Sequence, residues 1–244
     1  MYGNDGVNDA LASYSVNQST GLLQDLNSRY GFNSFYVDGP PYTVLASNQY
    51  VYGAFTDGDY DNLDGYLRQS DGALLAINIT RPAPAVFVAP GGMLNFAAAD
   101  ASNHLSLIVN CATGGTDQVA TYGVDVETGN LWTNSSCTTM PSSAVGNTQS
   151  TAMAYSGKIL AVGGTKGVQL FNFSGTTEAT TRTSPLLAGV NINRVIWDPS
   201  NHLYAISQAS NKLYVLNVTS SGVTEAPESP LTIASPREII VQPK

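Results

Sequence analysis

Five times along the chain a β-rich phrase carrying Tyr or Phe runs into Ser, Thr or Asp, then glycine, then a return run. The copies read "YSVNQSTGLL", "YLRQSDGALL", "YGVDVETGNL", "FNFSGTTEA" and "YVLNVTSSGVT". Their turn glycines are Gly21, Gly72, Gly129, Gly175 and Gly222, at spacings of 51, 57, 46 and 47 residues. A fixed period of this size means one supersecondary unit stacked repeatedly, each copy burying its neighbour's face.

The content of each unit is β. "YTVLASNQYVYGAF", "LNFAAADASNHLSLIVNC", "TAMAYSGKILAVGG" and "VIWDPSNHLYAIS" are apolar or alternating runs broken by a small polar turn. That pattern reads as antiparallel strands joined by hairpins, and no segment carries capped helical periodicity. Four short strands per unit is the pattern of β-propeller blades. Strand A precedes the "SNHL"-type turn, strand B follows it, strand C carries the aromatic, and strand D follows the glycine turn. Blades then begin near residues 40, 90, 147 and 190.

The chain ends supply fragments. Residues 1–30 read as strands B, C and D without an A, and "SPREIIVQPK" reads as an A without a successor. Joined, "REIIVQPK" and "MYGNDG" match the fourth unit. The expectation is an all-β propeller of four-stranded antiparallel blades, five in this chain, spanning 1–244 as a single domain. Its closure blade is formed by 1–30 plus 234–244, which removes exposed sheet edges. The alternative, which an opening at strand B leaves in play, is part of a seven-bladed propeller lacking its N-terminal blades here.

Composition narrows the function classes. The formal net charge is −8, and the ten Lys and Arg are scattered without a run, which excludes a nucleic-acid footprint. No stretch approaches the ~18 apolar residues of a membrane span. No secretory h-region is visible at the N-terminus, although a mature chain reads the same way. Sequons at Asn17, Asn78, Asn134, Asn172 and Asn217 occur as such a composition gives them, and matter only where the source glycosylates.

Cys111 and Cys137 are the only cysteines, to be read as one disulfide or as two buried thiols. Cys111 is expected to end a strand B and Cys137 the strand D of the same blade. Two strand spacings between them exceed the ~7 Å Cα limit, unless the glycine-rich "ATGGTDQ" lets a loop curl across.

"YSVNQSTGLL", "YGVDVETGNLW", "WDPSNHLYAIS", "KLYVLNVTSSGVTEAPESPLTI" and the closing "SPREIIVQP" resemble bacterial lactonase-family propellers, the group of 6-phosphogluconolactonase-like and YVTN repeat proteins. The resemblance runs over nearly the whole chain and is most specific in the last 55 residues. Its motifs mark hairpins and blade ends rather than catalytic groups. It implies a propeller, usually seven-bladed, and a hydrolase acting on a small sugar lactone without a required cofactor. Low charge, abundant Ser, Thr and Asn and a potential disulfide fit a bacterial extracytoplasmic setting, periplasmic or secreted. A different class also fits: a non-catalytic extracellular propeller presenting its loops to a protein or glycan.

Both histidines sit in one phrase, "DASNHL" around His104 and "DPSNHL" around His202, 98 residues apart. That interval is two periods. They fall in A–B turns, where Asp and Asn supply local turn chemistry, and are read as solvated turn residues. Binding is expected on the opposite face, formed by D–A and B–C loops. There Arg237 and Glu238 open the last strand A, Asn191, Asn193 and Arg194 open the one before, and Asp38 and Tyr42 flank another entrance. A lactone hydrolase of this kind needs an arginine for an anionic substituent and a carboxylate to deliver water. Glu238, Arg237 and Arg194 are the catalytic candidates, with Asn191, Asn193, Asp38 and Tyr42 for substrate; an Arg–Glu pair fixing the closure strand is the plainer reading. No G-x-S-x-G elbow exists, which argues against a serine hydrolase.

"TDGDYDNLDG" carries Asp57, Asp59 and Asp61 in a D-x-D-x-D start like that of a calcium loop. Asn62 stands where that loop needs glycine, and Arg68 where it needs glutamate. An acidic B–C loop is expected, with calcium as the weaker alternative.

Overall fold

The computed structural model describes residues 2–5, 10–31, 43–46, 49–57, 60–77, 96–100, 102–111 and 115–241. Among these, every regular element is a strand, and the strands form five sheets. The first contains β1 (Tyr2–Asp5), β2 (Ala10–Val16) and β3 (Leu23–Gly31). The second contains β4 (Thr43–Ala46), β5 (Tyr50–Asp57), β6 (Tyr60–Arg68) and β7 (Leu74–Ile77). The third contains β8 (Phe96–Ala99), β9 (His104–Val109), β10 (Gln118–Val124) and β11 (Leu131–Trp132). The fourth contains β12 (Thr148–Met153), β13 (Ile159–Gly164), β14 (Gly167–Asn172) and β15 (Thr180–Thr181). The fifth contains β16 (Arg194–Trp197), β17 (His202–Ser207), β18 (Lys212–Thr219) and β19 (Gly222–Glu225), with β20 (Leu231–Thr232) also on β18.

Each sheet is an antiparallel meander in chain order, and the first strands β8, β12 and β16 lie beside one another. This is the side-by-side stacking of propeller blades. Blade starts at 43, 96, 148 and 194 fall within six residues of the expected ones.

Sheets buried on both faces explain the apolar runs. In β9, Leu105, Leu107 and Val109 pack with Tyr50 and Tyr52 of the second sheet, while Ile108 packs with Leu160, Val162 and Phe171 of the fourth. In the fourth sheet Ala161, Val168 and Leu170 turn the other way, onto Trp197, Leu203 and Ala205 of the fifth. Alternate residues of one strand thus enter two different cores. Burying a side chain of this size contributes roughly 1.5–3 kcal/mol. Polar pins cross the same seams: Trp197 Nε1 donates to Ala152 O (3.0 Å) and Tyr52 Oη to Gly129 O (2.8 Å). Burial, with Tyr50 and Asp125 nearby, pushes the Tyr52 phenol well above its usual range, so the hydroxyl stays a donor.

The C–D turns are built by local chemistry. Asn17 Oδ1 accepts from the Ser19 and Thr20 amides, and Gly21 N–H returns to Asn17 O. Asp125 repeats this with the Glu127 and Thr128 amides and Gly129 N–H. Those bonds, the Thr128 amide first, hold the Asp125 carboxyl below the usual carboxylate range. The glycine is needed because its φ is positive, +72° at Gly21 and +73° at Gly129.

Three expectations are corrected. First, Cys137 does not end a strand D. β11 stops at Trp132, and the chain then runs on irregularly in the same direction beside β10, with Val119 N–H donating to Pro141 O and Gln118 bridging Ser142. That course brings Cys137 to Cys111, and the two are joined in a disulfide with a Cα–Cα distance of 5.8 Å. Second, 56–65 is a hairpin rather than an acidic loop: Asp57 ends β5, Asp61 lies in β6, and the register pairs Asp57 with Tyr60 and Thr56 with Asp61. Asp59 lies outside the described residues. Third, the histidines are not simply solvated, as their contacts below show.

The tail forms no strand through 233–241, and it bends at Ser235, whose φ is 49°. Ile233 N–H donates to Asn211 O, Ser235 N–H to Asn211 Oδ1, and Arg194 Nε to Glu238 Oε1, which together hold it against the fifth sheet.

Candidate functional site

The two ends of the blades carry different chemistry. On the A–B and C–D end, Asp100 Oδ1 accepts from the Ser102 and His104 amides, and His104 Nδ1 lies 2.9 Å from Asp100 Oδ2. Asp198 repeats this with Ser200 and His202, the imidazole at 2.6 Å and Tyr204 Oη at 3.3 Å. An ionised carboxylate only accepts, so Nδ1 carries the proton in each case. The residue before each histidine, Asn103 or Asn201, adopts φ of 65° or 64°, and its carbonyl accepts from the end of strand C, Val124 or Val218. Burial alone raises the Asp198 pKa; the His202 amide and imidazole and the Ser200 amide outweigh it and leave the carboxyl below its ordinary value.

His104 also crosses to the next blade. A Cβ on Gly175 falls 2.0 Å from the imidazole Cγ, so the ring lies flush on the following C–D turn. The A–B and C–D turns therefore share one end of the structure, and His104 and His202 are half-buried struts on it.

The opposite end gathers D–A and B–C loops. Ser143 N–H donates to Asp117 O, Lys166 N–H to Val145 O, Thr165 N–H to Asn147 O, and Asn193 N–H to Ile206 O. Between the third and fourth blades these loops enclose a cavity of about 280 Å³, lined by Thr116, Asp117, Ser143, Asn147 and Lys166 among others. Asp117 Oδ2 accepts from Thr148 N–H at 3.0 Å, which fixes the carboxylate at the entry to strand A of the fourth blade. The Ser143 hydroxyl is fully buried in the wall without a hydrogen-bond partner among the described residues, an arrangement that costs free energy unless something completes it. Both loops leave the disulfide, at Cys111 and Cys137, six residues before Asp117 and Ser143 respectively.

The residues expected at this end divide. Arg194 and Glu238 are brought together, but into an ion pair at 2.9 Å with both side chains exposed. Arg237 stands apart from them, lining a hollow of about 200 Å³ with Gln208, Asn211, Ser235 and Pro236. Asn193 is spent on structure: Nδ2 donates to Gln149 Oε1 (2.7 Å) and Oδ1 accepts from Gln208 N–H (2.9 Å). Asn191 keeps a buried Oδ1 without a partner among the described residues. Asp38 and Tyr42 lie outside the described residues. Among the described residues, no three His, Cys, Asp or Glu groups cluster as metal ligands.

Asp117, Ser143 and Lys166 were missed by sequence reasoning, which looked at the starts of strand A. The available signal was positional: each falls in a B–C or D–A loop once the repeat is aligned.

No family model matches the chain, and no curated protein matches it. Among solved structures it is similar to a protein from Lactobacillus plantarum, with TM-score 0.63 and 18% identity over 96% of this chain and 67% of that one. It is similar also to the periplasmic gluconolactonase of Pseudomonas aeruginosa, with TM-score 0.65 and 15% identity over 88% of this chain and 62% of that one. A third is the PQQ-bound aldose sugar dehydrogenase of Streptomyces coelicolor, with TM-score 0.52 and 11% identity over 92% and 77%. The chain thus spans roughly two thirds of the length of the first two. The likeness shows the fold, an all-β propeller, and the fold alone.

Proposed function

We propose that the chain is a lactonase-like propeller that takes a small sugar lactone at the D–A and B–C end. The observation that carries this reading is the 280 Å³ cavity in which a fixed carboxylate, Asp117, and a cation, Lys166, line one wall system with a buried, unsatisfied hydroxyl. In this reading Asp117 takes a proton from water as the oxygen attacks the ring carbonyl. The acyl C–O bond breaks, and the proton returns to the departing ring oxygen, giving a hydroxy acid. Lys166 offsets the charge that develops on the carbonyl oxygen. Arg237, at the neighbouring hollow, receives an anionic substituent, and Asn191 a hydroxyl. Glu238 and Arg194 serve the tail rather than the chemistry, since each already holds the other. No cofactor enters this scheme.

The likeness to a gluconolactonase supports the choice of substrate class, and the disulfide supports an extracytoplasmic setting. Hydrolysis of glucono-δ-lactone above the spontaneous rate, falling at least ~100-fold in Asp117→Asn with binding retained, is the expected result. A rate equal to background overturns it.

One observation favours a second reading, a non-catalytic module for a protein or glycan: Tyr155 and Val126, on the turn end, are 60% and 57% exposed. Under that reading the lactone rate stays at background while an immobilised glycan is retained and released by Tyr155→Ala.

A further inference from the structure

On the end away from the proposed lactone site, the seam between the fourth and fifth blades opens into a cleft of about 490 Å³. Lys158, in the A–B turn of the fourth blade, and Arg182, just after β15, line it with Ser156, Asn172, Asn201 and Thr219. Ile159 and Val218, which pack in the apolar core shared by the fourth and fifth blades, give it an apolar lining.

Its charge is unbalanced. Among the described residues, no carboxylate lines the cleft. Arg182 Nη1 donates to Asn172 Oδ1 at 2.9 Å and its Nη2 to Thr219 O at 2.8 Å, both neutral acceptors. Those two bonds use two of five N–H groups and span the seam, so the guanidinium is held in place with donors to spare. Lys158 has no ion pair among the described residues. Two of the chain's ten basic residues therefore face one cleft uncompensated, on a molecule whose net charge is −8. Scattered solvated lysines need no ligand; a guanidinium braced by neutral acceptors beside a second cation is the arrangement that oxyanions select.

We propose that this cleft binds a small oxyanion-bearing saccharide, a sugar carboxylate or a sugar phosphate. The oxyanion sits between Arg182 and Lys158. Ring hydroxyls meet the Asn172 and Asn201 amides and the Thr219 hydroxyl, and the C–H face of the ring lies over Ile159 and Val218. The site is independent of the lactone reading and stands if that reading fails.

Titration calorimetry of the intact protein with glucuronate, glucose 6-phosphate, inorganic phosphate and glucose tests it. At least one anionic sugar binds roughly ten-fold tighter than glucose and tighter than inorganic phosphate; which one does so identifies the charged group. Lys158→Gln weakens that binding by roughly five- to ten-fold, and added salt weakens it further. Arg182→Lys keeps the charge but loses the fork, and loses affinity as well, with thermal melts confirming that both variants are folded. Asp117→Asn leaves this binding unchanged. Glucose binding as tightly as both anionic sugars, or an unchanged affinity in Lys158→Gln, overturns the proposal. Loss of binding in Asp117→Asn reassigns it to the other end and overturns it equally. Phosphate binding as tightly as the sugars removes the saccharide and with it the proposal.

Discussion

The two ends of these blades are made from the same strands and obey different rules. At the turn end, Asp100 and Asp198 make matching sets of bonds almost a hundred residues apart, and Asn17 and Asp125 do so in the C–D turns. Each of these side chains accepts from amides two to four residues away, so the repeat reproduces the geometry without help. At the loop end nothing repeats. Asp117, Ser143, Lys166 and Asn191 each occur once, and two of the four hold buried polar atoms without partners among the described residues. Repetition marks what builds the blade; its absence marks where a ligand can be accommodated. The histidines illustrate the first case: their separation of 98 residues is twice the period of the fold.

The contrast predicts that breaking the loop end costs most when its one covalent tie is cut. Cys111→Ser with Cys137→Ser reopens a separation of 26 residues. A loss of about 3.5 kcal/mol in denaturant unfolding is expected, together with loss of lactone turnover as the loops carrying Asp117 and Ser143 loosen. Unchanged turnover in the folded double variant separates the disulfide from the site.

At the turn end the largest effect belongs to Gly175→Ala. It forces a side chain into φ +77° and against the His104 ring, at about 2 kcal/mol by urea melts, with turnover intact. A smaller step is His104→Gln with His202→Gln, which removes one strut hydrogen bond per turn at about 1 kcal/mol each and leaves turnover unchanged. A large loss of turnover there reverses the assignment of the two ends.

The smallest effect is in pH. Asp198 has a lowered folded pKa, so its contribution is complete above the ordinary carboxylate range and declines as pH falls through the lowered value. Wild type therefore loses stability in acid more steeply than Asp198→Asn, as acid titration followed by fluorescence measures. Parallel curves remove Asp198 as a stabilising acceptor.

The hairpin acids show how far local reading reaches. The spacing of Asp57, Asp59 and Asp61 allowed a loop, whereas a long ladder between β5 and β6 draws the segment into strands. A run of three aspartates cannot signal that, because the pairing free energy lies in the partner strand. The same holds for Arg194, Glu238 and Asn193, legible as polar groups at strand starts but committed by the fold to one another, to the tail and to Gln149.

What the sequence determined by itself is the blade: strand order, the glycine and Asx turns, and the two-sided apolar runs all follow from interactions within one repeat or between identical neighbours. What only the tertiary structure decided is which unlike loops meet. The irregular course of 133–142 beside β10 that joins Cys137 to Cys111, the cavity beside Asp117, and the cationic cleft at Arg182 each arise where two non-repeating segments touch. Contacts of that kind depend on the path of the chain through space, which no periodicity encodes.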